Sequence, residues 1–123
     1  MTESELEDIL EKFKQLIRND KYTISSGENR LRNDNFIEIN FLNKNRIKNM
    51  LLEITTKDCI GIDKHYKDNK KIVYKFIKKY NINTKEDRIL GVYVKFTICL
   101  VKCQEHVIVI SFHDVDKEEK YIY

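Results

Sequence analysis

Two short segments near the C-terminus carry side chains that could transfer protons and bind an anion. In Tyr93-Val94-Lys95 and Ser111-Phe112-His113, polar residues alternate with apolar ones. Alternate residues of a strand point to the same face of a sheet, so the polar side chains of each segment share a face. If the two strands pair, a phenol, an ammonium, a hydroxyl and an imidazole meet there. A hydrophobic core does not require such a grouping.

This grouping suits metal-independent cleavage of RNA, in which a ribose 2′-hydroxyl attacks the adjacent phosphate. The reaction needs a proton acceptor, a proton donor to the leaving 5′-oxygen, and positive charge beside the phosphate. Histidine can transfer protons in either direction near neutral pH, and lysine supplies the charge. An isolated histidine is more often a surface or packing residue than a catalyst, and only the opposed Tyr93 favours catalysis for His113.

A block of lysines precedes these segments. Residues 64–80 contain seven lysines and one acidic residue, interleaved with tyrosine and phenylalanine. Lysines contact backbone phosphate and aromatic rings stack on bases, so the block indicates a nucleic-acid surface. Lysines along a solvated strand edge, which deter aggregation, fit the block equally well. On the first interpretation six lysines bind RNA: Lys64, Lys67, Lys70, Lys71, Lys78 and Lys79.

Two amphipathic helices are predicted in the N-terminal half. Apolar residues recur at helical spacing over residues 5–18, after a capping-box pattern formed by Ser4 and Glu7. Asn43 is placed to cap a second helix over residues 44–54. Between the two helices the chain is polar, and only residues 22–24 have the composition of a short strand.

The hydrophobic period changes to two in the C-terminal half. Residues 72–80, 89–101 and 106–113 are predicted strands, and the short polar segments between them suit antiparallel hairpins. A three-residue turn at residues 102–104 would pair Leu100 with His106, so that Tyr93 faces His113 and Lys95 faces Ser111. The same register assigns six residues to the core: Val94, Phe96, Ile98, Ile108, Ile110 and Phe112.

Length and composition indicate one α+β domain over residues 1–123, with N-terminal helices packed on a small antiparallel sheet. The chain is 41% hydrophobic and 35% charged, which is typical of a water-soluble protein, and every apolar run is too short to cross a bilayer. The acidic N-terminus is unlike a secretory signal. Three cysteines are expected as free thiols rather than zinc ligands, so we expect a cytoplasmic protein without metal or cofactor.

Several stretches resemble the MqsR-type toxins, which are mRNA interferases with the RelE/ParE-like fold. They are LEITTKD at residues 52–58, Gly61, VYKF at 73–76, GVYVKF at 91–96 and VISFH at 109–113. The likeness extends over about residues 5–114 and is most specific in the last strand pair. It implies a toxin of a type II toxin–antitoxin system that cleaves mRNA and has a cognate antitoxin protein as its partner. Whether the ribosome is a further partner stays open.

The catalytic positions of that family carry over by motif to Lys75, Tyr93 and His113, and Lys95 lies beside them as a second phosphate stabiliser. The resemblance implies products with 2′,3′-cyclic phosphate and 5′-hydroxyl ends. A lysine of some family members falls near Gly61 here and is absent, so Lys64 or another lysine of the block would replace it. The alternative is a non-catalytic module that binds nucleic acid or protein on the same fold, because fold does not determine function.

Overall fold

The protein is an α+β domain in which helices pack on a five-stranded mixed sheet. The computed structural model describes residues 1–65, 68–83 and 88–115, without the side chains of 64, 65, 68–70, 83 and 88. The helices are α1 (Glu3–Arg18), α2 (Leu31–Ile39) and α3 (Lys44–Leu52). The strands are β1 (Tyr22–Ile24), β2 (Cys59–His65), β3 (Asp68–Asn83), β4 (Arg88–Val101) and β5 (Gln104–Asp114). These elements confirm the predicted α+β class.

The sheet has the strand order β1-β5-β4-β3-β2. β1 runs parallel to β5, and the other neighbouring strands are antiparallel. The predicted antiparallel arrangement of β3, β4 and β5 is therefore confirmed, and so is the short strand at residues 22–24. The sequence analysis missed β2, whose pairing with β3 makes it an edge strand.

Helix α1 buries its apolar stripe against the sheet. Leu6, Leu10, Phe13 and Ile17 are buried, and the Phe13 and Phe96 rings lie 4.1 Å apart between centroids. The helix begins earlier than predicted, because the Thr2 side chain accepts a hydrogen bond from the Glu5 backbone at 3.1 Å. The capping box assigned to Ser4 was therefore wrong.

Helix α3 begins where the sequence predicted. The Asn43 side chain accepts a hydrogen bond from the backbone N–H of Arg46 at 2.8 Å, which satisfies a donor of the first turn. The helix ends at Leu52 rather than at residue 54. Its buried residues, Ile47, Met50 and Leu51, join the same core as those of α1.

Helix α2 lies in the stretch that the sequence analysis left without a helix. Its only buried residues are Asn33 and Phe36, so no apolar stripe marks it in the sequence. The Phe36 ring meets the Phe112 ring edge to face, with centroids 5.7 Å apart. Contacts with β5, rather than local periodicity, hold this helix in place.

The β4–β5 hairpin changes register along its length. Its turn has two residues, Lys102 and Cys103, with positive φ of 51° and 64°, as in the tight turns that suit the twist of a hairpin. Leu100 therefore pairs with Glu105, and the predicted three-residue turn that paired Leu100 with His106 was wrong.

A bulge at Ile110 restores the predicted register further along. Phe96 pairs with Val109 and Lys95 pairs with Ser111, so Ile110 is the extra residue on β5. Before the bulge, Val107 and Val109 face the core, and the assignment of the half-buried Ile108 to it was wrong. Ile110 is buried as predicted, but it lies at the bulge and outside the main core cluster. Val94, Phe96 and Phe112 are buried in the core as predicted, and Ile98 packs partly buried against it.

Among the residues that the structure describes, no helix combines the length and the apolar character needed to cross a lipid bilayer.

Candidate functional site

The site lies on the sheet face opposite α1 and α3, called here the outer face. Pairing between strands aligns Lys75 of β3 with Lys95 of β4, and Lys95 with Ser111 of β5. The next row aligns Tyr93 with His113. The structure thus brings all four residues predicted as catalytic onto one face, and we call the five side chains the polar cluster: Lys75, Tyr93, Lys95, Ser111 and His113.

His113 faces Tyr93 and is largely covered. The two rings meet edge to face with centroids 5.6 Å apart, and His113 is 6% exposed. Its Nδ1 lies 2.9 Å from the backbone carbonyl oxygen of Asp114. Because a carbonyl oxygen only accepts hydrogen bonds, Nδ1 carries a proton. In the neutral ring Nε2 is then the unprotonated nitrogen, which is the atom that could accept a proton from a substrate.

Lys75 forms an ion pair with Asp63 of β2. The hydrogen bond that Lys75 donates to Asp63 is the main cause that raises the pKa of Lys75 above its ordinary value, and partial burial opposes it. Lys75 is therefore a cation at neutral pH, but a neighbouring carboxylate offsets its charge. Sequence reasoning missed Asp63, because β2 itself had not been predicted.

Lys95 is half-buried, and strand pairing aligns it with a second cation, Lys75. Desolvation is the largest cause that lowers its pKa, followed by the charges of Arg30 and Lys75. In the described part of the chain no carboxylate lies within ion-pairing distance of Lys95. Such a group is stabilised when an anion binds beside it, because the anion offsets both the repulsion and the lost hydration.

Arg30 reaches the cluster from a segment for which the sequence gave no functional signal. It ends a single helical turn, Glu28–Arg30, just before α2. Together with Ser111 and His113, residues 28–33 line a pocket of about 330 Å³. The cluster therefore has a wall on its β5 side.

Asn33 anchors this wall to the bulge. Its amide nitrogen donates to the carbonyl oxygens of Ser25 and Ile110, each at 3.0 Å. Its amide oxygen accepts from the backbone N–H of Phe112 at 2.9 Å. β1 pairs with β5 only as far as Val109, so the side chain of Asn33 takes over hydrogen bonding along the next residues of that strand.

Of the lysines predicted to bind RNA, the three whose side chains the structure describes lie on both faces of β3. Lys71 and Lys79 are exposed and share the strand parity of Lys75. Lys78 has the opposite parity, and its ammonium group lies 3.4 Å from a carboxylate oxygen of Asp58, so it does not share the outer face with Lys71 and Lys79. Its contact with RNA stays a prediction. The side chains of Lys64 and Lys70 are not described, and Lys67 lies outside the described residues.

The cysteines and acidic residues do not assemble into a metal centre within residues 1–65, 68–83 and 88–115, where no group of three or more potential ligands could hold an ion. Cys59 and Cys99 are half-buried free thiols, and Cys103 is an exposed one in the hairpin turn. Comparison of the chain with protein-family models, with curated proteins and with solved structures finds no match. Fold and site together define an α+β domain with a cluster of lysine, tyrosine, serine and histidine side chains on the outer face of its sheet.

Proposed function

We propose that this protein is a metal-independent endoribonuclease with a RelE-like fold, an mRNA interferase toxin of a type II toxin–antitoxin system. The observation that carries the proposal is the polar cluster, in which an imidazole faces a phenol beside two lysines. The resemblance to MqsR-type toxins supports the same activity. A cognate antitoxin, mRNA and, as an open alternative, the ribosome are its proposed partners in the cytoplasm.

The proposed mechanism assigns one proton transfer to each of the facing rings. Nε2 of His113 accepts the proton of the ribose 2′-hydroxyl as that oxygen attacks the adjacent phosphorus. The hydroxyl of Tyr93 donates a proton to the 5′-oxygen as its bond to phosphorus breaks. Lys75 and Lys95 stabilise the negative charge that grows on the phosphorane. The products are a 2′,3′-cyclic phosphate and a 5′-hydroxyl.

The test is cleavage of purified RNA by the purified chain in the presence of EDTA, with the ends of the products mapped chemically. We expect cyclic phosphate and 5′-hydroxyl ends, and we expect Tyr93→Phe to lower the single-turnover rate by about two orders of magnitude. Tyr74→Phe is the matched control, because it removes the same hydroxyl from a buried residue of the core. Loss of activity in EDTA, or equal rates for the parent and Tyr93→Phe, would refute the mechanism.

A non-catalytic RNA-binding module is the second candidate. The burial of His113 favours it, because a ring that is 6% exposed offers little surface to a substrate. This module would bind RNA through the same cations. It is the better account if the purified protein binds RNA, alone or with ribosomes, and leaves its ends unchanged.

A further inference from the structure

We infer that Arg30 completes a phosphodiester-binding subsite, in which its guanidinium and the ammonium of Lys95 hold one phosphate at the pocket between residues 28–33 and the end of β5. Only the identification of the ligand as single-stranded RNA rests on the proposed function. The subsite itself rests on the geometry of the pocket and on the charges around it.

The pocket has the size and lining that a nucleotide phosphate requires. It encloses about 330 Å³ between the 28–33 segment and the side chains of Ser111 and His113. Its lining includes one carboxylate, that of Glu28, and three groups that can donate hydrogen bonds to phosphate oxygens: the Arg30 guanidinium, the Asn29 amide and the Ser111 hydroxyl. The hydrogen bonds of Asn33 to Ile110 and Phe112 hold the wall against the strand, so the pocket exists before a ligand arrives.

Two arginines line this side of the pocket, and Arg30 is the one whose guanidinium is available to bind a ligand. Arg32, two residues further on, donates to the carbonyl oxygen of Asp114 at 3.1 Å. Arg30 is exposed, and within the described residues no carboxylate lies within ion-pairing distance of it. A guanidinium presents two parallel N–H donors that match two oxygens of a phosphate.

Ser111 links Arg30 to Lys95. Arg30 and Ser111 line the same pocket, and strand pairing aligns Lys95 with Ser111. Of the charged groups that lower the pKa of Lys95, Arg30 is the strongest. Two cations that repel one another beside a half-buried cleft are stabilised by a shared anion. A phosphodiester carries one negative charge, and its two non-bridging oxygens can contact both cations.

The test compares Arg30→Ala and Arg30→Lys with the parent and with Arg18→Ala. Arg18 is an exposed arginine at the end of α1, so its removal changes the net charge equally on the helical side of the protein. The probe is a fluorescent 2′-O-methyl oligoribonucleotide, which lacks the attacking hydroxyl and stays intact. Binding is measured by anisotropy over a range of salt concentrations, and circular dichroism verifies the fold of each variant.

For Arg30→Ala we expect affinity to fall about tenfold, the usual worth of a charged hydrogen-bonded contact. The slope of log affinity against log salt should fall by about one unit. Arg30→Lys should restore the slope and only part of the affinity, because lysine lacks the fork of donors. Arg18→Ala should bind like the parent.

A second measurement follows the ammonium of Lys95 by NMR titration without any ligand. The pKa of Lys95 should rise in Arg30→Ala, because the variant lacks the charge that lowers it. A merely structural role of Arg30 would leave this pKa unchanged. The same titration with inorganic phosphate tests whether a free anion occupies the subsite.

The outcomes separate the subsite from the proposed function. Arg30-dependent binding without cleavage by the parent supports the subsite and refutes the endoribonuclease. Cleavage by the parent, with unchanged oligonucleotide binding in Arg30→Ala, refutes the subsite alone. Binding of inorganic phosphate but not of the oligonucleotide refutes RNA as the ligand, and an unchanged pKa of Lys95 in Arg30→Ala refutes the inferred proximity of the two cations.

Discussion

At the residue scale, the tautomer of the His113 ring decides which of its nitrogens could accept a proton. The carbonyl of Asp114 holds a proton on Nδ1, so the neutral ring presents Nε2 as a base. The edge-to-face contact with Tyr93 restrains the orientation of the ring. A catalytic base needs both properties, the correct tautomer and a restrained position, before its substrate binds.

We predict that His113→Gln lowers the single-turnover rate of RNA cleavage by about two to four orders of magnitude. Glutamine retains an amide that can donate to the carbonyl of Asp114, but it cannot accept a proton near neutral pH. It is a better replacement than alanine, which would leave a cavity at this buried position. Rates are measured on labelled RNA, with thermal unfolding as the control for folding. A well-folded variant that cleaves at the rate of the parent would exclude His113 as the base.

Under the proposed function, Asp63 would oppose RNA binding, because its carboxylate pairs with Lys75. We predict that Asp63→Asn raises RNA affinity about fivefold, since a unit charge about 4 Å away in water is worth about 1 kcal/mol. The pKa of Lys75 should fall toward its ordinary value, because Asp63 is the main cause that raises it. Anisotropy and lysine NMR measure the two effects.

Asp20→Asn is the matched control for that variant. Asp20 is also exposed and pairs with a lysine, Lys48, at 2.9 Å, but it follows α1 rather than lying on the outer face. It should leave both the RNA affinity and the pKa of Lys75 unchanged. Equal effects of the two variants would show that net charge, rather than the site, determines binding.

At the scale of elements, the bulge at Ile110 decides which side chains of β5 reach the outer face. Residues before it pair in one register and residues after it in another. If the register found next to the hairpin turn continued along β5, Ser111 would lie on the same face as Val109 and point into the core. The bulge, held by Asn33, therefore places Ser111 and His113 beside Lys95 and Tyr93.

We predict that Asn33→Ala destabilises the protein by about 3 kcal/mol, because it leaves buried backbone groups of β5 without partners. The Phe112 amide, which donates to Asn33, should also exchange its hydrogen faster. Urea unfolding and NMR hydrogen exchange measure these effects. Asn40→Ala in the same region removes a single hydrogen bond, to the Phe36 carbonyl at 2.8 Å, and should cost about 1 kcal/mol. If the Phe112 amide were equally protected from hydrogen exchange in Asn33→Ala, the proposed role of Asn33 in holding the bulge would be contradicted.

At the scale of the whole molecule, helices cover one face of the sheet, and the outer face carries polar side chains. α1 and α3 bury one face around Phe13, Phe76 and Phe96, whereas the outer face carries the polar cluster and exposed lysines such as Lys71 and Lys79. A surface with this excess of cations attracts acidic partners over distances of about 10 Å at moderate salt. Under the proposed function, RNA and an acidic segment of an antitoxin would compete for this face.

We predict that a cognate antitoxin covers or distorts the outer face and that the complex weakens as salt is raised. Hydrogen exchange of the complex should show protection in β3, β4 and β5, and calorimetry at several salt concentrations gives the electrostatic share of the affinity. α1 serves as the internal control, since it lies on the opposite face. A tight complex that leaves residues 64–80 and 93–113 unprotected would require inhibition from a distance or a different function.

Local patterns were sufficient for several elements. The apolar spacing of α1, the Asn43 cap of α3 and the period-two runs of β3, β4 and β5 are carried by neighbouring residues, so the sequence predicts them. It also predicts that Tyr93 faces His113 and that Lys95 faces Ser111, but it does so from a three-residue turn that does not form. The pairing arises instead from a two-residue turn followed by the bulge at Ile110.

Other features follow only from tertiary structure, because residues far apart in the chain produce them. α2 and β2 form against β5 and β3, and no local periodicity marks them. The bulge at Ile110 depends on Asn33, which lies in another element. Arg30 and Asp63 reach the polar cluster by packing and strand pairing alone. The sequence by itself determined which chemical groups were present and which residues of each strand lie on the same face. The three-dimensional contacts decided the charges around those groups, their burial and their access to a ligand.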